Sequence, residues 1–117
     1  MIREILVAAV LSMGIAAVTS AGAEEAAAAR PMLTGAQIFA KHCSYCHGPG
    51  TDHPGTRQLR DTRGEEFALL EKRTDLYPDY IETIIRHGLN AMPPFKPTVI
   101  TDAELDRLAK YLAKGNE

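Results

Sequence analysis

The chain has 117 residues, with 13 lysine and arginine against 15 aspartate and glutamate side chains and a formal net charge of −2. A balance this even gives no electrostatic basis for binding nucleic acid or an anionic membrane surface. So short a chain has room for one domain with a thin core, and with no tryptophan and only three phenylalanines that core is expected to be supplemented by something else.

The N-terminal stretch carries Arg3 and then an apolar run from Ile5 to Val18, shorter than the roughly 20 residues a helix needs to span a bilayer. Small residues follow, and Ala21-Gly22-Ala23 fits the A-x-A cleavage pattern. Residues 1–23 are therefore expected to be an export signal, which points to the periplasm. Residues 24–33 then form a leader segment, and a single domain occupies 34–117. No stable membrane insertion is expected of it.

In that domain Thr34 and Gln37 have capping-box spacing, with Leu33 and Ile38 placed to close a hydrophobic staple. Ala36, Phe39, Ala40 and Cys43 recur at helical spacing, so a first helix runs into the cysteines. Residues 48–64, dense in glycine and proline, read as loop. A short helix is expected over 65–73 with Phe67 and Leu70 inward. Another is expected over 78–88, begun by Pro78, stopped by Gly88 and apolar along Ile81, Ile84 and Ile85. The three prolines of NAMPPFKPTV force an extended or turn-rich backbone. The last helix repeats the entry of the first, with Thr101 and Glu104 as box, Ile100 and Leu105 as staple, and Gly115 as stop. Leu105, Leu108 and Leu112 make its buried stripe with Tyr111 alongside. The expected class is all-α, with about four helices and two long loops.

Both cysteines of the chain, Cys43 and Cys46, fall in KHCSYCHGPG and are followed at once by His47. Three chemistries use that spacing: a redox dithiol, half of a zinc site, and covalent haem attachment, whose pattern is C-x-x-C-H. A thioredoxin-like dithiol belongs after a βαβ strand pattern, and none is present. Tetrahedral zinc needs four ligands, and Cys43, Cys46, His47 and His53 supply that number only with His47 adjoining Cys46 and a short loop to His53. Haem explains more, because two thiols can bond the porphyrin vinyl groups while the next residue offers its imidazole to the iron.

That reading demands a second axial ligand from another segment. Methionine is a soft thioether that favours ferrous iron and raises the potential. Met1 and Met13 lie in the export signal, and Met32 lies just before the first helix. Met92 sits in NAMPPF, where Pro93 and Pro94 stiffen the backbone and limit the entropy lost on ligation. A lone methionine is ordinarily core filler, but one in a rigid, helix-free segment well past His47 is the candidate ligand.

Three stretches, GAQIFAKHCSYCHGPG, YIETIIRHGLNAMPPF and DAELDRLAKYLA, together resemble the class I cytochrome c domains of bacteria over Thr34 to Lys114. The resemblance implies one covalent haem c wrapped by helices, with the first and last crossing near Phe39 and Tyr111. It implies Cys43, Cys46, His47 and Met92 as cofactor-binding residues, with His47 and Met92 as the iron ligands. It also implies a proline carbonyl accepting the other N–H of the ligating imidazole; Pro54 is better placed than Pro49, which is only two residues beyond His47.

More narrowly, YIETIIRHGLNAMPPF is similar to the small cytochrome subunit of p-cresol methylhydroxylase-type flavocytochromes. In those, a flavoprotein oxidises a phenolic or alcohol substrate and passes single electrons to the cytochrome. The stretch TDHPGTRQLRDTRGEEFALLEKR departs from that pattern. The expectation is a periplasmic monohaem electron carrier, not itself an enzyme, with a redox partner protein such as a flavin-dependent dehydrogenase. The alternative is a small haem enzyme or sensor with an open distal site, which requires Met92 to be off the iron. A haem-free dithiol module is a third reading. His42 and His53 are expected to be ordinary polar residues, and His87 and Arg86 to serve a helix end, with Arg86 also a candidate partner of a haem propionate. Tyr45, between the cysteines, is expected near an exposed haem edge.

Overall fold

The computed structural model describes residues 31–114. The export signal expected over 1–23, most of the leader segment over 24–33 and the helix stop expected at Gly115 lie outside the described residues. Residues from Met32 onward form one compact unit.

The first helix, α1 (Gly35–His42), starts as its sequence dictates. The Thr34 hydroxyl accepts from the Gln37 N–H, and the Gln37 side chain accepts from the Thr34 N–H. Ile38 and Phe39 are its buried residues, whereas Ala36 and Ala40, expected on the inner stripe, are exposed. The larger side chains set the rotation of the helix, because they remove more apolar area from water. Cys43 closes α1 and opens a separate single turn, α2 (Ser44–His47).

Two expectations are corrected in the next stretch. Residues 48–64 are not all loop, because α3 runs over Pro54–Arg63. His53 stands extended before it, Pro54 occupies its first turn, where a missing N–H costs nothing, and Gly64 ends it at φ 113°. Its inner face has one buried residue, Thr56, so no apolar stripe advertises it. The helix expected over 65–73 is instead two 3-10 turns, Glu65–Phe67 and Leu70–Lys72, broken by Leu69 in extended conformation. Ala68 is the buried residue here, while Phe67 and Leu70 are half-buried. The Arg73 guanidinium lies over the Phe67 ring at 5.3 Å, which holds the two turns together.

The second half follows its sequence closely. α4 (Pro78–His87) begins on its proline, ends at Gly88 with φ 76°, and buries Ile81 and Ile85. The proline-rich segment after it has no helix. α5 (Asp102–Ala113) opens with the Thr101–Glu104 box and buries Leu105, Leu108, Ala109, Leu112 and Ala113. Five α-helices and no named strand are thus present among the described residues.

α5 packs on both α1 and α4. At the first crossing a Cβ on Gly35 would lie 2.3 Å from Tyr111 Cβ and 2.5 Å from the Arg107 carbonyl, so the two backbones meet where only glycine fits. The rings of Phe39 and Tyr111 sit 6.4 Å apart at 55°, the tilted arrangement aromatic pairs prefer. Arg107 Nε donates to the Leu33 carbonyl at 2.9 Å. The Tyr111 hydroxyl donates to the Glu71 carboxylate, and Lys114 Nζ to the Glu71 carbonyl. One contiguous core results, centred on Ile38, Ile100 and Leu108.

Candidate haem site

The site grows out of the joint between α1 and α2. The Cys43 N–H donates to the Phe39 carbonyl at 2.8 Å, and its own carbonyl accepts from Cys46 at 3.1 Å and His47 at 2.8 Å. The two thiols are not joined in a disulfide. Positions i and i+3 of one helical turn lie on the same side, so Cys43 and Cys46 share a face and His47 follows directly. Cys43 packs against the core, whereas Cys46 is exposed.

Burial pushes the Cys43 thiol up to about 12, with Cys46 and Glu71 acting in the same direction. A redox dithiol works through a thiolate with a lowered pKa, which this environment does not provide. The zinc arrangement is not formed either. His53 Nδ1 donates to the Tyr45 carbonyl at 2.9 Å, and among the described residues no three histidine, cysteine or acidic side chains converge as a metal site.

Burial also lowers the pKa of His47 and so favours its neutral form, the form in which imidazole ligates a metal. Its Nδ1 is buried without a hydrogen-bond partner. Gly55 presses on that edge of the ring: a Cβ there would lie 2.7 Å from His47 Cε1 and 2.9 Å from Nδ1. With Nδ1 buried, Nε2 is the nitrogen that could ligate a metal. The hydrogen bond expected from Nδ1 to the Pro54 carbonyl is not made. Pro54 is the first residue of α3.

Met92 is held by a small backbone clasp. Its N–H donates to the Leu89 carbonyl at 2.9 Å, and its carbonyl accepts from Leu89 N–H at 3.0 Å. Gly88 makes the clasp possible, because a Cβ there would lie 2.6 Å from the Met92 carbonyl oxygen. Met92, half-buried, packs on the same core cluster as Cys43, together with Leu33, Leu70, Phe95 and Tyr111. The structure therefore sets the candidate sulfur ligand and one anchoring thiol around one cluster.

Arg86 does not wait for a propionate. It donates to the Phe95 carbonyl at 2.9 Å and to Asp102 at 2.6 Å, while Phe95 N–H donates to the Ile85 carbonyl at 2.7 Å. These bonds tie the methionine segment to the end of α4 and the start of α5. His87 Nδ1 lies 2.9 Å from the Thr83 carbonyl. An open groove lined by Glu82, Thr83, Arg86, His87, Asp102 and Leu105 carries none of the haem-site residues. The residues with no sequence signature are His53, Gly55 and Thr56. The Thr56 hydroxyl donates to the Gly48 carbonyl at 2.6 Å, beside His47. The available clue was Pro49: it has no N–H, so the Tyr45 carbonyl four residues earlier loses its helical donor, which His53 replaces.

Similarities to known proteins show the family. Residues 30–112 match the family model described as cytochrome C oxidase, cbb3-type, subunit III. The 4-cresol dehydrogenase [hydroxylating] cytochrome c subunit of Pseudomonas putida is 30% identical over 80 residues, covering 68% of this chain and 58% of that subunit. The chain therefore spans less than two thirds of that relative's length. Cytochrome c6 of Cyanidioschyzon merolae (strain NIES-3377 / 10D) is 29% identical over 84 residues, covering 72% of this chain and 74% of the relative. The crystal structure of p-cresol methylhydroxylase with substrate bound contains a chain matched at a TM-score of 0.50 and 28% identity, over 72% of this chain and 95% of that one. A helical scaffold carrying two cysteines, within a sequence that matches over residues 30–112, has one reading: the chain belongs to the electron-transferring c-type cytochromes, in the family described by the cbb3-type subunit III model, and its cofactor is covalent haem c.

Proposed function

We propose that the chain is a periplasmic monohaem carrier in which Cys43 and Cys46 hold the porphyrin as thioethers, and His47 and Met92 ligate the iron. Residues 1–23 are the export signal and residues 24–33 the leader of this reading. The donor is a partner flavoprotein that oxidises a phenolic or alcohol substrate. The observation that carries the partner is the similarity to the cytochrome subunit of 4-cresol dehydrogenase in sequence and to a chain of p-cresol methylhydroxylase in structure.

The haem, when bound, supplies the one-electron couple. This chain's residues do the rest. Burial keeps the His47 ring neutral, and a neutral imidazole can ligate both oxidation states. The Leu89–Met92 clasp and the Arg86 bonds hold the methionine segment in place without the iron's help, so little is left to reorganise when an electron arrives. A thioether on the second side favours the ferrous state.

Met92→Ala is the test. The ferric protein should lose its methionine-dependent near-infrared absorption, the reduction potential should fall, and carbon monoxide or cyanide should bind readily. An unchanged spectrum and potential would assign the ligand to another residue, and ready binding of carbon monoxide by the unmutated protein would favour an open distal site.

A further inference from the structure

We infer that the first turn of α3 is a clamp on the haem-binding motif, and that Thr56 is the residue that positions His47. The inference rests on His47 as an iron ligand.

Thr56 is the buried polar side chain among the described residues, at 6% exposure, and a buried hydroxyl is costly unless bonded. Its Oγ1 donates to the carbonyl of Gly48 at 2.6 Å. Gly48 directly follows His47 and ends α2 in extended conformation, at φ −71° and ψ 171°, so its carbonyl has left the helical ladder. Four residues ahead of Pro49, the Tyr45 carbonyl has no backbone donor within α2, and His53 Nδ1 fills the place at 2.9 Å. The same His53 ring closes over Gly48, where a Cβ would lie 2.6 Å from its Cε1. Between these two bonds Gly55 lies against the ring of His47 itself.

Residues 53, 55 and 56 thus hold the chain two positions before His47, one position after it, and at the edge of its ring. All three sit at the start of one helix, so they move as a unit. An imidazole held this way has little freedom to tilt or rotate. In other metal sites that restraint comes from a hydrogen bond to the second ring nitrogen. Here the backbone on either side of the ring is held as well. A loosened imidazole donates less charge to ferric iron, so the potential rises when the clamp is cut.

The test uses the haem-loaded full chain. Thr56→Val keeps the shape and removes the donor, whereas Thr56→Ser keeps the donor. For Thr56→Val we expect altered g-values in the low-temperature EPR spectrum of the ferric protein. We also expect a roughly three- to tenfold shift of the one-electron reduction equilibrium towards the ferrous form, about 30–60 mV at 59 mV per decade. Thr56→Ser should restore both. His53→Leu, at a more exposed position, should shift both in the same direction by less, and it serves if Thr56→Val yields no holoprotein. A purely structural role predicts lower thermal stability with g-values and potential unchanged in Thr56→Val and His53→Leu, and that result overturns the inference. His47→Ala is the control. An unchanged spectrum there removes the ligand reading and the inference with it, whereas a changed one confines any failure to the clamp.

Discussion

Burial holds the His42 ring below the usual histidine pKa, the neighbouring Lys41 ammonium acts the same way, and Glu104 opposes both. Its Nε2 is buried with no hydrogen-bond partner. A histidine neutral in the folded state and free to charge when unfolded stabilises the fold only above its unfolded pKa. As pH falls through about 6.5, the unfolded chain takes up a proton that the folded chain resists, so stability falls. His42→Leu should therefore reduce the loss of thermal stability between pH 7.5 and pH 5. Melting curves of both proteins at the two pH values check it, and an equal loss would move the acid sensitivity to another group. At this scale the sequence was legible where chemistry demands a fixed spacing. Cys43, Cys46 and His47 announce themselves, and Met92 is proposed because it is the sulfur that stands in a stiff, helix-free segment. Thr56 and His53 were not legible, because their partners are backbone carbonyls, and a carbonyl's need for a donor is set by conformation rather than by residue type.

Helix ends were easier to read than helix middles. Both capping boxes formed at the residues that spelled them, because the bonds run over three residues and need no tertiary partner. α3 escaped notice for the opposite reason. Its inner face meets the haem motif through a glycine and a threonine, so the period-3.6 apolar signal is absent. The 3-10 pair after it replaces a helix because Leu69 is extended, which a propensity argument does not register. The crossing of α1 and α5 offers a test. Gly→Ala near a helix end ordinarily gains up to about 1 kcal/mol from chain entropy. At Gly35 the new methyl would meet Tyr111 Cβ at 2.3 Å and a backbone carbonyl at 2.5 Å, so overpacking wins. Gly35→Ala should lower stability by about 1–3 kcal/mol in chemical denaturation of the holoprotein. A neutral or stabilising result would mean that the helices can move apart freely.

On the scale of the whole molecule, Tyr45 is 86% exposed beside the exposed Cys46, so in the proposed carrier a thioether edge formed at Cys46 would face solvent. A carrier exchanges electrons through such an edge, and a net charge of −2 leaves little long-range steering. Tyr45→Lys should slow reduction by the partner flavoprotein severalfold in stopped-flow measurements while spectrum and potential stay as they were. Reduction at the unmutated rate would place the docking face elsewhere.

The bond from Arg107 to the Leu33 carbonyl joins residues 74 positions apart, and α1 buries Ile38 and Phe39 in the core it shares with α5. This gives the molecule an order of assembly. Contacts so distant along the chain close late, and until they close the turn carrying Cys43 and Cys46 hangs from an unsealed helix. Thioether formation has its best access during that interval, before α5 docks and shuts it. α5 is then a latch in time as well as a wall of the core.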